Sequence, residues 1–117
     1  MSIAKEFDKY YEYGRLLWNN RSLIKQEENQ TEYAIEDGDY DKTCEHMKEF
    51  IKLIERNKQF EKEKENQEEV IIKFIKKIVK KPIPDEEIKS CIQSENKLLI
   101  YLLESIEYKE EESYAHK

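Results

Sequence analysis

The chain has 117 residues, of which 41% are charged and 38% hydrophobic, and its formal net charge at pH 7 is −6. This length supports one hydrophobic core, and the helical spacing of the apolar residues argues against a disordered chain. The net negative charge argues against a protein that coats nucleic acid. Because no run of about 18 apolar residues exists, we expect no membrane span and no membrane partner.

The first helix is predicted over about residues 2–36. Its apolar stripe recurs at alternating steps of four and three residues, through Ile3, Phe7, Tyr10, Gly14, Leu17, Arg21 and Ile24. This spacing places the stripe on one face of a helix. Gly14 costs about 1 kcal/mol relative to alanine in a helix interior. We therefore expect another backbone to pass close to it.

A turn is predicted at residues 37–39. Gly38 can take the left-handed conformation that ends the first helix, and Asp39 can cap a second helix over about 39–81. The apolar stripe resumes there as Tyr40, Cys44, Met47, Ile51 and Ile54. Residues 55–69 are almost wholly charged and contain no glycine or proline. We expect the helix to continue through them, and a break near residues 66–67 is the alternative.

A sharp corner is predicted at Pro82 and Pro84, because two prolines cannot lie inside a helix. The third helix is predicted over about 85–107, with the acidic residues 85–87 at its positive end, followed by a frayed charged tail at 109–117. Residues 1–108 are then one all-α domain. It is a long antiparallel helical hairpin, or coiled coil, with the third helix packed on one end as a three-helix bundle.

The sequence predicts a non-enzymatic protein that uses neither a metal nor a cofactor. Asp37, Asp39 and Asp41 alternate like the first ligands of a calcium loop, but Lys42 stands where that loop needs glycine. Cys44 and His46 are two residues apart, so on a helix they point in different directions. We expect Cys44 and Cys91 to be buried free thiols. We also expect a cytoplasmic chain with no secretory signal.

The apolar side chains of residues 22–56 are too widely spread around their helices to be covered by one neighbouring helix. We therefore expect a homodimer in which two hairpins form a four-helix bundle. The candidate interface, for this dimer or another protein partner, consists of Tyr33, Tyr40, Met47, Phe50, Leu53 and Ile54.

Two charged surfaces are further candidates. The acidic turn offers Glu36, Asp37, Asp39 and Asp41, and the end of the second helix offers Lys73, Lys76, Lys77, Lys80 and Lys81. The first functional hypothesis is a protein–protein interaction module, acting as a regulator or inhibitor that docks on a larger protein. The alternative is a nucleic-acid-associated protein that contacts phosphates through these lysines.

Overall fold

The computed structural model describes residues 2–80, 82–96 and 99–107, and all regular secondary structure in these ranges is helical. The helices are α1 (Ile3–Glu36), α2 (Tyr40–Val79) and α3 (Asp85–Gln93), followed by α4 (99–107). The predicted all-α fold is confirmed, and α1 and α2 pack as a long pair. The helix α2 is continuous through residues 55–69. The predicted tail at 109–117 and Lys81 lie outside the described residues.

The chain divides into two compact units. The first, here called the core unit, comprises Met1–Tyr11 and Glu65–Lys117, and the second, here called the hairpin unit, comprises Glu12–Lys64. The sequence pattern predicts one domain over 1–108 and does not separate these units.

The core unit contains the main apolar core. All four helices contribute buried side chains to it, namely Ile3, Phe7, Tyr10, Ile71, Ile72, Ile75, Ile78, Ile88, Ile92 and Leu103. Burying a side chain of this size stabilises the fold by about 1.5–3 kcal/mol. The segment after the proline corner therefore shares one core with the first turns of α1 and the last turns of α2.

One difference from the sequence prediction lies at residues 94–96, where a single helix was expected to run to 107. The helix α3 ends at Gln93, and Glu95 adopts a φ of 54°. The Glu95 N–H donates to the carbonyl of Ile92 at 3.3 Å, and Ser94 Oγ donates to the carbonyl of Cys91 at 2.6 Å. These contacts cap a helix end in the left-handed manner. Glutamate rarely occupies this position, so the sequence gives no signal for it.

The turn between α1 and α2 forms as predicted. Gly38 has a φ of 71°, its N–H donates to the carbonyl of Ile35 at 3.1 Å, and the Asp39 N–H donates to the carbonyl of Ala34 at 3.0 Å. This pair of bonds defines a Schellman motif. Asp39 Oδ1 accepts from the Lys42 N–H at 3.1 Å and so caps α2.

The proline corner also forms where it was predicted. The helix α2 ends at Val79, Lys80 has a φ of 58°, and α3 begins at Asp85 directly after Pro84. The carbonyl of Pro84 accepts from the Ile88 N–H at 3.3 Å, which forms the first turn of α3.

The expected close backbone approach at Gly14 is wrong. A Cβ atom added at Gly14 would meet Lys64 Nζ at 3.7 Å, which is an ordinary contact with a flexible side chain. The glycine therefore lies in regular helix with room for a methyl group.

Replacing Gly14 by alanine should raise the free energy of unfolding by about 0.5–1 kcal/mol, because alanine restricts the unfolded chain and favours helix. Urea unfolding followed by circular dichroism measures this change. The matched control is Gly38→Ala, which should lower the free energy of unfolding by about 1–2 kcal/mol because its φ is positive. Destabilisation by Gly14→Ala would contradict the open environment described here.

Candidate functional site: the exposed apolar face of the hairpin unit

Half of the side chains in the seam between α1 and α2 in the hairpin unit are polar. On each helix, a series of residues that are not exposed recurs at alternating steps of three and four, as in a coiled coil. They are Leu17, Asn20, Ile24, Glu27, Thr31 and Ala34 on α1, and Thr43, His46, Phe50, Leu53, Asn57 and Phe60 on α2. The sequence pattern predicts Arg21 in the apolar stripe of α1, but Arg21 is exposed and Asn20 lies in the seam instead.

Hydrogen bonds between polar side chains hold this seam in register. Asn20 is 2% exposed, and its Nδ2 donates to the carbonyl of Leu53 at 2.9 Å and to Asn57 Oδ1 at 3.4 Å. Nearer the turn, His46 Nδ1 lies 2.8 Å from Glu27 Oε2. Polar pairs in a coiled-coil seam select one register at some cost in stability. The polar pairs of the seam therefore favour one register of α1 on α2, and the apolar contribution to the seam is modest.

The apolar stripe of α2 that the sequence suggested lies outside this seam. Tyr40, Met47 and Ile51 are 83%, 49% and 55% exposed, and Cys44 is exposed as well. From residue 44 onward, each position of this stripe follows a seam residue by one, which turns it about 100° around the helix. The expectation that Cys44 is buried is wrong for this reason.

One side of the hairpin unit carries a shallow groove. It has a volume of about 360 Å³ and is lined by Glu28, Thr31, Glu32, Ile35, Met47 and Phe50. The apolar lining comes from both helices, whereas the two carboxylates come from α1 alone. Helical spacing continues the apolar lining along α2 to Tyr40 and Ile51. We call Ile35, Tyr40, Met47, Phe50 and Ile51 the exposed apolar face.

The structure divides the predicted interface residues. Tyr40, Met47 and Phe50 belong to the exposed apolar face, and Ile54 is half-buried. Leu53 is 8% exposed and lies in the seam, so it is not available to a partner. Tyr33 is 61% exposed but lies two residues from Ile35, about 200° around α1.

Ile35 and Ile51 belong to the face but were not among the predicted interface residues. Ile35 is 58% exposed, and it lies next to the turn, where the sequence suggested only a helix end. Ile51 follows Met47 by four residues, and this spacing was the signal that could have placed it on the same face.

A second groove of the hairpin unit follows α2 alone. Its volume is about 600 Å³, and it is lined by Ile51, Lys52, Glu55, Arg56, Lys58, Gln59 and Lys62. We call it the basic groove. The basic groove begins at Ile51, where the exposed apolar face ends. Along α2, the apolar face with its two carboxylates from α1 is therefore followed directly by a basic surface.

The acidic turn lies at the end of the hairpin unit. Glu36, Asp37 and Asp41 are exposed, whereas Asp39 is half-buried as the cap of α2. Glu36, Asp37 and Asp41 do not cap a helix, and their carboxylates are exposed to solvent at the turn.

The predicted lysine cluster lies in the core unit. Lys73, Lys76, Lys77 and Lys80 are exposed. The spacing of Lys73, Lys76 and Lys77 places them on one side of α2, and Lys80 directly follows the end of that helix. Lys76 Nζ forms an ion pair with Asp85 at the start of α3. Part of this positive charge is therefore neutralised within the chain.

Buried polar groups connect α1 and α2 in the core unit. Glu6 is 1% exposed, and Gln67 Nε2 donates to Glu6 Oε2 at 2.7 Å and to the Glu6 carbonyl at 2.9 Å. One turn further along α1, the Tyr10 hydroxyl donates to Glu68 Oε2 at 3.5 Å. Burial, reinforced by the nearby Glu68 carboxylate, raises the pKa of Tyr10 to about 12.

This pKa predicts a loss of stability at high pH. Because the pKa of Tyr10 rises from 10.0 in the free side chain to about 12 in the fold, the stabilisation is fully present below pH 10. It is lost as the pH rises through about 12. Urea unfolding at pH 9 and pH 11.5 should show a smaller alkaline loss for Tyr10→Phe than for the wild-type chain. An equal loss in both proteins would contradict the role of Tyr10.

Three further observations bear on the predictions about thiols, metal sites and membrane spans. Cys44 and Cys91 are free, as predicted, and Cys91 is exposed rather than buried. Across the described residues, no three His, Cys, Asp or Glu side chains are grouped so that they could hold a metal ion. No helix in the described ranges is long and apolar enough to cross a membrane.

Comparison of the chain with protein-family models, with curated proteins and with solved structures gives no match. The function is therefore inferred from the surfaces of the molecule itself, and the exposed apolar face is the strongest of them.

Proposed function

We propose that the protein is a helical protein–protein interaction module that forms a homodimer through the exposed apolar face. The observation that carries this proposal is the exposure of Ile35, Tyr40, Met47 and Ile51 beside the half-buried Phe50. Contiguous exposed apolar side chains of this kind mark interaction surfaces in soluble proteins. Their burial would stabilise a complex, because each large apolar side chain contributes about 1.5–3 kcal/mol when removed from water.

The thin interior of the hairpin unit supports the same proposal. Its buried hydrophobic residues are Leu17, Ala34 and Leu53, and the buried Asn20 lies among them. Helices gain most of their stability from packing of an apolar face rather than from intrinsic propensity. A second hairpin would supply that packing as a four-helix bundle with two-fold symmetry.

We further propose that the module acts by docking on a larger protein, as a regulator or inhibitor, in a reducing cytoplasmic environment. The exposed carboxylates of Glu36, Asp37 and Asp41 at the turn support a contact with a basic surface. The exposed free thiols of Cys44 and Cys91 support the reducing environment.

The dimer is tested by placing charge on the exposed apolar face. Met47→Glu with Ile51→Glu should give a monomer in sedimentation equilibrium at micromolar concentration, because two carboxylates per copy would be desolvated at the interface. Circular dichroism should show unchanged helix content, since both side chains lie outside the seam. The matched control Tyr33→Glu should remain a dimer, because Tyr33 points away from the face. A wild-type chain that sediments as a monomer would overturn the proposal.

A second candidate function is nucleic-acid association through the core unit. The observation that favours it is the placement of the exposed Lys73, Lys76 and Lys77 on one side of α2, with the exposed Lys80 directly after the helix. The ion pair between Lys76 and Asp85 reduces the net positive charge of this surface.

A gel shift at low and moderate salt tests this second candidate. Phosphate contacts predict binding that weakens steeply as salt rises, and Lys73→Glu with Lys77→Glu should abolish it. Lys58→Glu with Lys62→Glu, in the hairpin unit, is the matched control. Binding that is absent at low salt, or is lost equally in the control, would exclude a specific role for these lysines.

A further inference from the structure

The charges of the hairpin unit divide along its length. Between Glu27 and Glu45 every charged residue except Lys42 is acidic, and Glu28 and Glu32 line the apolar groove within this stretch. We call residues 27–45 the acidic end. Farther from the turn, the charged residues that line the basic groove are positive except for Glu55.

The exposed apolar face occupies the boundary between these two charged regions. Met47 and Phe50 line the groove that has the acidic edge, and Ile51 lines the basic groove. A partner that covers the whole apolar face must therefore contact both regions. It needs positive charge on one side of its own apolar surface and negative charge on the other.

A second copy of the same hairpin meets this requirement in one orientation. Building on the proposed homodimer, we propose that the two hairpins dock antiparallel, with the acidic end of each against the basic groove of the other. A two-fold axis near Ile51 makes the two contacts equivalent, as an isologous interface requires. Parallel docking would place the two acidic ends side by side, and such like-charge juxtaposition is costly.

The spacing along α2 is consistent with this orientation. Lys58 and Cys44 lie on opposite sides of Ile51 along the helix, each about 10 Å from it at about 1.5 Å per residue. Rotation about an axis at Ile51 brings Lys58 of one copy level with Cys44 of the other. Lys58 then lies beside the acidic end, and Lys62 lies one turn nearer the partner's tip.

The proposal is tested with complementary charge reversals in the full chain. Variant A carries Glu28→Lys and Glu32→Lys, and variant B carries Lys58→Glu and Lys62→Glu. In antiparallel docking each variant alone brings like charges together at both contacts, so its dimer dissociation constant should rise at least about tenfold. An equimolar mixture of A and B restores opposite charges at both contacts. It should dimerise within about threefold of the wild-type constant.

Asp8→Lys with Glu12→Lys is the matched control, because both residues are exposed, lie outside the acidic end and lie about 160° around α1 from Glu28. It carries the same change of net charge as variant A and should dimerise like the wild-type chain. Sedimentation equilibrium of all samples, with circular dichroism to verify folding, gives the constants.

The outcomes separate this inference from the proposed function. Weak dimers of A and of B together with a tight mixed dimer support antiparallel docking. A variant A that dimerises more tightly than the wild-type chain would overturn it in favour of parallel docking. Dimers that charge reversal leaves unchanged would overturn the electrostatic pairing, while the homodimer itself would stand. A monomeric wild-type chain would instead overturn the homodimer.

Discussion

The hydrogen bonds that Asn20 donates across the seam join α1 to one side of α2 in the hairpin unit. Its amide reaches the Leu53 carbonyl and the Asn57 side chain, both on α2. Rotating α2 by about 100° would bring the more apolar stripe, with Met47 and Ile51, into the seam. The buried amide would then lose its partners, at a cost of about 1–3 kcal/mol. That loss, together with the exposure of Phe50 and Leu53 that the same rotation would cause, opposes the alternative orientation.

The two units differ in how they use apolar residues. The core unit buries isoleucines of α2, among them Ile71, Ile75 and Ile78, against residues from three other helices. The hairpin unit leaves Met47 and Ile51 about half exposed and fills its seam with Asn20, Glu27 and His46. The core unit therefore buries large apolar side chains, whereas the hairpin unit leaves an apolar surface exposed to solvent.

The sequence predicted the features that depend on local chemistry. Gly38 and the two prolines mark chain reversals through backbone constraints that need no tertiary information, and both reversals lie where they were expected. Glu95 in a left-handed conformation was not predictable, because glutamate carries no preference for that position. The helix predicted over 85–107 is therefore divided at a point that the sequence pattern did not mark.

The sequence pattern also did not reveal which side of α2 faces α1. The series Thr43, His46, Phe50 and the series Cys44, Met47, Ile51 have the same spacing, and hydrophobicity favours the second, which is exposed. A clue was available on α1, where steps of three and four from Leu17 lead to Asn20 and Glu27. Buried polar groups need polar partners, and His46 and Asn57 provide them only when the first series faces α1.

The turn at Gly38 has a consequence for how two chains can combine. Helical hairpins can exchange arms, so that α1 of one chain pairs with α2 of another, and strained connections favour such domain swapping. Here the connection is relaxed, because glycine takes its φ of 71° without steric cost, and the amides of Gly38 and Asp39 are both hydrogen-bonded. Opening the turn would give up these bonds. The turn therefore favours a chain that keeps its own two arms together, and the proposed dimer would join closed hairpins through their sides.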